Sequence, residues 1–182
     1  MTTYISILRG INVRGHKLIK MDALRKSYQD LGFQRITTYV QSGNVVFITQ
    51  NAENGVLEQK ISRQINDVFG FEVPAIVLPV DRLQQIVDAN PFLGQPEKEK
   101  SFLHVTFLSA VPSGYDRELI EVSKQGAEEL LISEYAVYLY CPDGYGNSKL
   151  SNTFFEKKLK VAATTRNWKT TNELLKIALQ TL

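Results

Sequence analysis

The strongest constraint on this chain is an ordered change of hydrophobic period along its N-terminal half. Residues 3–8 are apolar and β-branched, as a buried strand requires. Asp22 can then open a helix that places Leu24, Tyr28 and Leu31 at helical spacing, and Gly32 stops it. Residues 35–40 and 44–48 read as two strands joined through Gln41-Ser42-Gly43, a hairpin. Val56, Leu57, Ile61, Ile65, Val68 and Phe69 mark an amphipathic helix over 53–69, ended by Gly70. Phe71 to Leu78 reads as a strand, with Pro74 pointing to an edge or an irregularity. The order β-α-β-β-α-β is that of the split βαβ, ferredoxin-like unit.

The second half repeats much of this order without repeating its residues. A short helix is expected at 80–89 and a Pro/Gly/charge-rich connector over Asn90 to Lys100. A strand follows at Phe102 to Leu108, a helix from Tyr115 to about Gly126, and strands at 129–133 and 136–141. Thr153-x-x-Glu156 fits a capping box for a helix carrying Phe155 and Leu159. Thr170-x-x-Glu173 repeats the pattern before a last helix with Leu174, Leu175, Ala178 and Leu179. This half reads β-α-β-β-α-α. The expected fold is α+β: two ferredoxin-like (α-β plait) units in tandem, with antiparallel sheets and helices on one face. The expected domains are residues 1–79 and 80–182.

Net charge is only +2, which hides a pattern. Residues 1–35 carry net +5, residues 144–182 net +5, and residues 36–143 net −8. Basic ends around an acidic middle either neutralise it across a compact fold or present an anionic partner with a basic surface. One cysteine, Cys141, permits no internal disulfide. With no signal-peptide pattern and no long apolar run, the expectation is a cytoplasmic protein without membrane contact.

Four segments carry more polar and glycine residues than a core needs. Arg9 to Lys17 joins a strand to a helix, where amides and cations can cradle an anion. Its spacing is neither a Walker A loop nor a dinucleotide fingerprint, and a solvated turn would also explain its glycines. Arg9, Asn12 and Lys17 are its candidate contacts. The 39–47 hairpin adds Gln41 and Asn44; its Asn44-Val45 lacks the stacking aromatics of an RNA-recognition motif. The segment 142–152 offers Gly144 and Gly146 for close backbone approach, with Lys149 and Ser151 for charge and hydroxyl. Gly-x-Gly is a weak signal, and a turn with a helix cap is sufficient for it. The segment 164–170 offers Arg166, suited to a bidentate phosphate contact, with Asn167 and Lys169. Trp168 can stack on a base or anchor the helix.

Catalytic patterns are poor. His16 and His104 are the only histidines, and His104 lies in an apolar strand. No spacing suits a metal, no nucleophile elbow is present, and no cofactor is implied. Asp143 has no evident partner as a base, and Cys141 follows a strand that should bury it.

Taken together, Leu8 to Val13, the Tyr39 to Phe47 hairpin, Gly144 to Asn152 and Thr164 to Thr170 resemble the bacterial domain of unknown function family 1697. The resemblance covers nearly the whole chain and is specific in combination. It implies a cytoplasmic α+β protein of two α-β plait domains and brings no established activity. The chain departs from the family pattern at Arg14, where glycine is frequent, and at Asn147, where a cation is frequent. Anion binding would then fall to Lys149 and Arg166, or Arg14 compensates.

The leading expectation is a binding module for a phosphate-bearing ligand, nucleotide or nucleic acid. The first alternative is a small enzyme on an anionic metabolite, with Lys149 and Arg166 stabilising charge and Asp143 or Tyr145 moving a proton. The second is a protein–protein adaptor. The sequence leaves the ligand and the oligomeric state open.

Overall fold

A computed structural model describes residues 1–181. Two four-stranded sheets carry the architecture, each wholly antiparallel. The chain divides into two compact units: Met1–Gln84 with the C-terminal stretch from Glu173, and Gln85–Asn172.

The first unit runs β1 (Thr2–Leu8), α1 (Met21–Asp30), β2 (Gln34–Tyr39), β3 (Asn44–Thr49), α2 (Asn54–Phe69) and β4 (Ala75–Pro79). Its strand order is β2-β3-β1-β4. Central β1 is buried along almost its whole length, which explains its continuous apolar run. Alternate side chains Tyr4, Leu8, Val45, Phe47 and Val77 meet Leu24 and Tyr28 of α1 and Leu57, Ile61 and Ile65 of α2. Phe47 is the centre of this core. Phe33 stacks on it at 4.4 Å between ring centroids, and Tyr28 meets it edge-on at 5.6 Å. Such pairs add about 0.5–1.5 kcal/mol each beyond burial. The buried Tyr28 hydroxyl shares a hydrogen bond of 2.7 Å with Ser6 Oγ, so its polar end is satisfied. Burial raises its pKa far above the ordinary tyrosine value, the Ser6 bond opposing. Gly70 ends α2 in the left-handed conformation, as its position predicted. The strand expected from Phe71 begins only at Ala75. Residues 72–74 lie outside the ladder: Pro74 has no N–H to donate, and its carbonyl accepts from the Arg9 N–H just beyond the end of β1.

α3 (Val80–Asp88) leads into the second unit. There β5 (Leu103–Leu108), α4 (Arg117–Glu121), β6 (Glu129–Ile132), β7 (Ala136–Tyr140), α5 (Asn152–Leu159) and β8 (Ala163–Asn167) form a sheet of order β6-β7-β5-β8. α6 (Trp168–Gln180) follows. The order matches the first sheet strand for strand. β8 has no counterpart in the order expected from sequence and supplies the fourth strand. It pairs with β5 from His104↔Asn167 to Leu108↔Ala163. α6 accordingly starts at Trp168 rather than after Thr170. Its cap is Asn167, whose Oδ1 accepts from the Thr170 N–H at 2.8 Å. α5 is capped by Ser151, not Thr153: Ser151 Oγ accepts from the Phe154 N–H. α4 is much shorter than the expected 115–126, because Asp116 caps it late and the chain turns away after Val122.

Candidate functional site

The β1–α1 connection is a built loop. The Asn12 N–H donates to the Lys17 carbonyl at 3.1 Å, and the His16 N–H to the Val13 carbonyl at 2.9 Å. Residues 12–17 therefore form a miniature hairpin with Arg14-Gly15 at its tip. Arg14 has φ +49 and Gly15 φ +78. Positive φ at both central residues is the signature of a type I′ turn. Asn12 and Lys17, flanking it, also lie at positive φ. Each non-glycine residue there costs about 1–2 kcal/mol.

The Asn12 side chain holds this hairpin to the sheet. Its Nδ2 donates to the carbonyls of Ile19, at 3.0 Å, and Gln41, at 2.8 Å. Its Oδ1 accepts from the Ile19 N–H at 2.8 Å. The whole amide is thus used inside the fold. Asn44 is similar: fully buried, it donates to the Tyr39 carbonyl and to Ser42 Oγ and shapes the β2–β3 tip. Gly43 lets that tip approach. A Cβ there would stand 2.7 Å from Leu8 Cβ and 2.8 Å from Ile11 Cδ1.

What faces solvent at this end of the sheet is different in kind. Arg14, His16, Lys17, Lys20 and Gln41 are exposed, and Arg9 is partly so. No acidic residue occurs from Arg9 through Met21. Val13, Leu18 and Val40 are 53%, 66% and 48% exposed beside these cations. The Lys17 ammonium rests 2.6 Å from the Glu72 carbonyl oxygen. The corresponding β5–α4 connection, residues 109–116, carries no Lys or Arg.

In the second unit, the turn after β7 is held by its own hydrogen bonds. The Gly144 N–H donates to the Cys141 carbonyl, and Gly144 sits at φ +90. Asn147 Nδ2 donates to the Asp143 carbonyl, and Ser148 Oγ accepts from the Leu150 N–H. Gly146 and Lys149 are exposed, as is Lys169. Tyr145 stacks on His104 at 4.8 Å between ring centroids. Arg166 pairs with Val105 across the sheet, while His104 pairs with Asn167. Arg166 therefore leaves the opposite face from His104, and its guanidinium donates to Thr164 Oγ1 and the Thr165 carbonyl. Burial lowers its pKa to about 10, the Tyr145 hydroxyl opposing, so it stays cationic at neutral pH. Trp168 is buried and anchors α6. Cys141 is buried too. Desolvation and the Glu128 charge push its thiol up to about 11 against a Ser148 hydrogen bond, so it is no nucleophile at neutral pH.

Among the described residues, no cluster of His, Cys, Asp and Glu can hold a metal ion. None of the described helices is long and apolar enough to cross a membrane. Arg14 at the tip was not among the candidate contacts expected from sequence. The signal was Val-Arg-Gly-His, in which a glycine at the second turn position places a cation at the first.

The conserved bacterial protein SP0830 from Streptococcus pneumoniae has a similar fold. The two align with a TM-score of 0.66 and 21% identity, over 97% of this chain and 98% of that one. No curated protein matches the chain. The family model described as a protein of unknown function (DUF1697) matches residues 1–138, the whole first plait and most of the second sheet. The chain belongs to that family.

Proposed function

We propose that the protein binds a phosphate-bearing ligand, nucleotide or nucleic acid, on the basic end of its first sheet. One observation carries this reading: the miniature hairpin holds Arg14 and Lys17 outward in left-handed backbone that neither residue favours. Backbone strain of this kind collects at functional sites. Asn12 supports the arrangement from beneath. Arg9, Lys17, Lys20 and Gln41 are the further exposed or partly exposed polar groups of this loop and of the β2–β3 turn that Asn12 joins to it. Exposed Lys149 and Lys169 of the second unit are candidates of their own. Cytoplasmic location belongs to the same proposal, and cell fractionation checks it.

The test is fluorescence anisotropy with labelled single-stranded RNA, duplex DNA and nucleotides, across about 50 to 200 mM salt. Each neutralised phosphate contributes about 0.7–0.9 to the slope of log affinity against log salt. Arg14→Ala with Lys17→Ala should lower that slope by about 1.5. Lys149→Ala with Lys169→Ala tests the second unit's candidates separately. Folded wild type that binds none of these probes at low salt would sink the proposal.

A further inference from the structure

The first unit also holds a cleft of about 360 Å³ between α2 and the segment 72–74. Gln59, Ser62, Arg63 and Asn66 line one wall at helical spacing, and Val73 and Pro74 line the other. Ser62 Oγ donates to the Val73 carbonyl at 2.8 Å and fixes one wall against the other. The cleft adjoins the basic loop at two points. Lys17 Nζ donates to the carbonyl of Glu72, a lining residue, and the Arg9 N–H donates to the Pro74 carbonyl at 2.9 Å. Whatever lies in the cleft has the Lys17 ammonium at its rim.

We propose that this cleft takes the base and ribose of a single nucleotide whose phosphate is held by Lys17 and the basic loop. The inference rests on the phosphate-binding reading above and deepens it by naming the occupant. Ligand pockets span about 300–1,000 Å³, so this one is at the small end and suits one nucleotide rather than two. The exposed amides of Gln59 and Asn66 each offer donors and an acceptor, which is what a base edge requires. Arg63 adds a planar cation suited to lie against a base. Exposed Pro74 gives an apolar surface beneath it, backed by buried Val73. A base inside a duplex cannot reach such a cleft, so the occupant is a free nucleotide or an unpaired strand end.

The test uses the full isotope-labelled chain, nucleoside monophosphates, inorganic phosphate and a short single-stranded RNA. Monophosphates should shift the amide signals of Gln59, Arg63 and Asn66, while inorganic phosphate shifts only the loop. Asn66→Trp, which fills the cleft from an exposed helical position, and Arg63→Ala should each weaken monophosphate binding at least about tenfold. Competition between monophosphate and RNA assigns the cleft to a strand end; binding without competition assigns it to the free nucleotide. Salt-dependent RNA binding that is identical in wild type and Asn66→Trp, with no monophosphate shifts in the cleft, overturns this inference and leaves the basic face standing. Failure of every probe to bind overturns both.

Discussion

The Lys98 ammonium lies 4.5 Å from the centre of the Tyr140 ring. Phe92 faces the same ammonium at 5.6 Å, and Glu129 pairs with it from β6. The Lys98 side chain is only 6% exposed. A single residue therefore ties the Pro/Gly-rich connector before β5 to both β6 and β7. A desolvated cation–π contact contributes about 2 kcal/mol. Lys98→Met keeps the stem and should cost about 2 kcal/mol; Lys98→Ala should cost about 3 kcal/mol, because packing goes as well. Urea denaturation measures both. A Lys98→Met variant as stable as wild type would show that only the stem contributes.

Gly43 sits at φ +81 with Leu8 and Ile11 filling the space that a Cβ would need. Gly43→Ala combines an overpacking cost with a left-handed alanine, together about 3 kcal/mol. The nearest atom is a Cβ, which cannot swing aside. A shift in the urea midpoint well under half of that expectation would mean the hairpin tip yields more easily than its contacts indicate.

Arg14→Gly separates stability from binding. Glycine accepts φ +49 without strain, so the variant should unfold about 1 kcal/mol harder than wild type. It should also lose affinity for polyanions, with a salt slope lower by about 0.8. Gains in both stability and affinity would contradict a binding role for the tip.

Burial lowers the His104 pKa below 6.5, against a hydrogen bond that the ring donates to the Phe102 carbonyl, which raises it. The unfolded chain takes up this proton near 6.5 while the folded chain resists. Stability is therefore fully present above 6.5 and falls as pH drops through the lowered folded value. His104→Phe should remove this part of the pH dependence and keep the stacking on Tyr145. Urea midpoints measured between neutral pH and about pH 5 provide the check. Parallel profiles for wild type and variant would rule it out.

The first plait was legible because each of its elements has one dominant period and a clear stop, such as Gly32 or Gly70. β8 was not. Ala163 to Asn167 has no alternation of apolar and polar residues, because its Thr165 hydroxyl bonds Thr106 across the sheet and Asn152 on α5. A strand whose buried side is held by hydroxyls reads as a loop. The site shows a related ambiguity. Asn12 and Asn44 stand in polar, glycine-rich segments, where a binding amide and a clamping amide have the same spelling. Only the hydrogen-bond partners separate them, and both are spent on backbone carbonyls and Ser42. The α2 cleft was invisible because Gln59, Arg63 and Asn66 at helical spacing look like any solvated helix face.

Cys141 gives the molecule a built-in clock. It is the one thiol in the chain, it lies in the second unit, and it is shut away from solvent. Alkylating reagents can mark it only during moments when β7 and its surroundings come apart. The rate of labelling under native conditions thus times the breathing of one half of the chain, with no engineered probe and no signal from the other half.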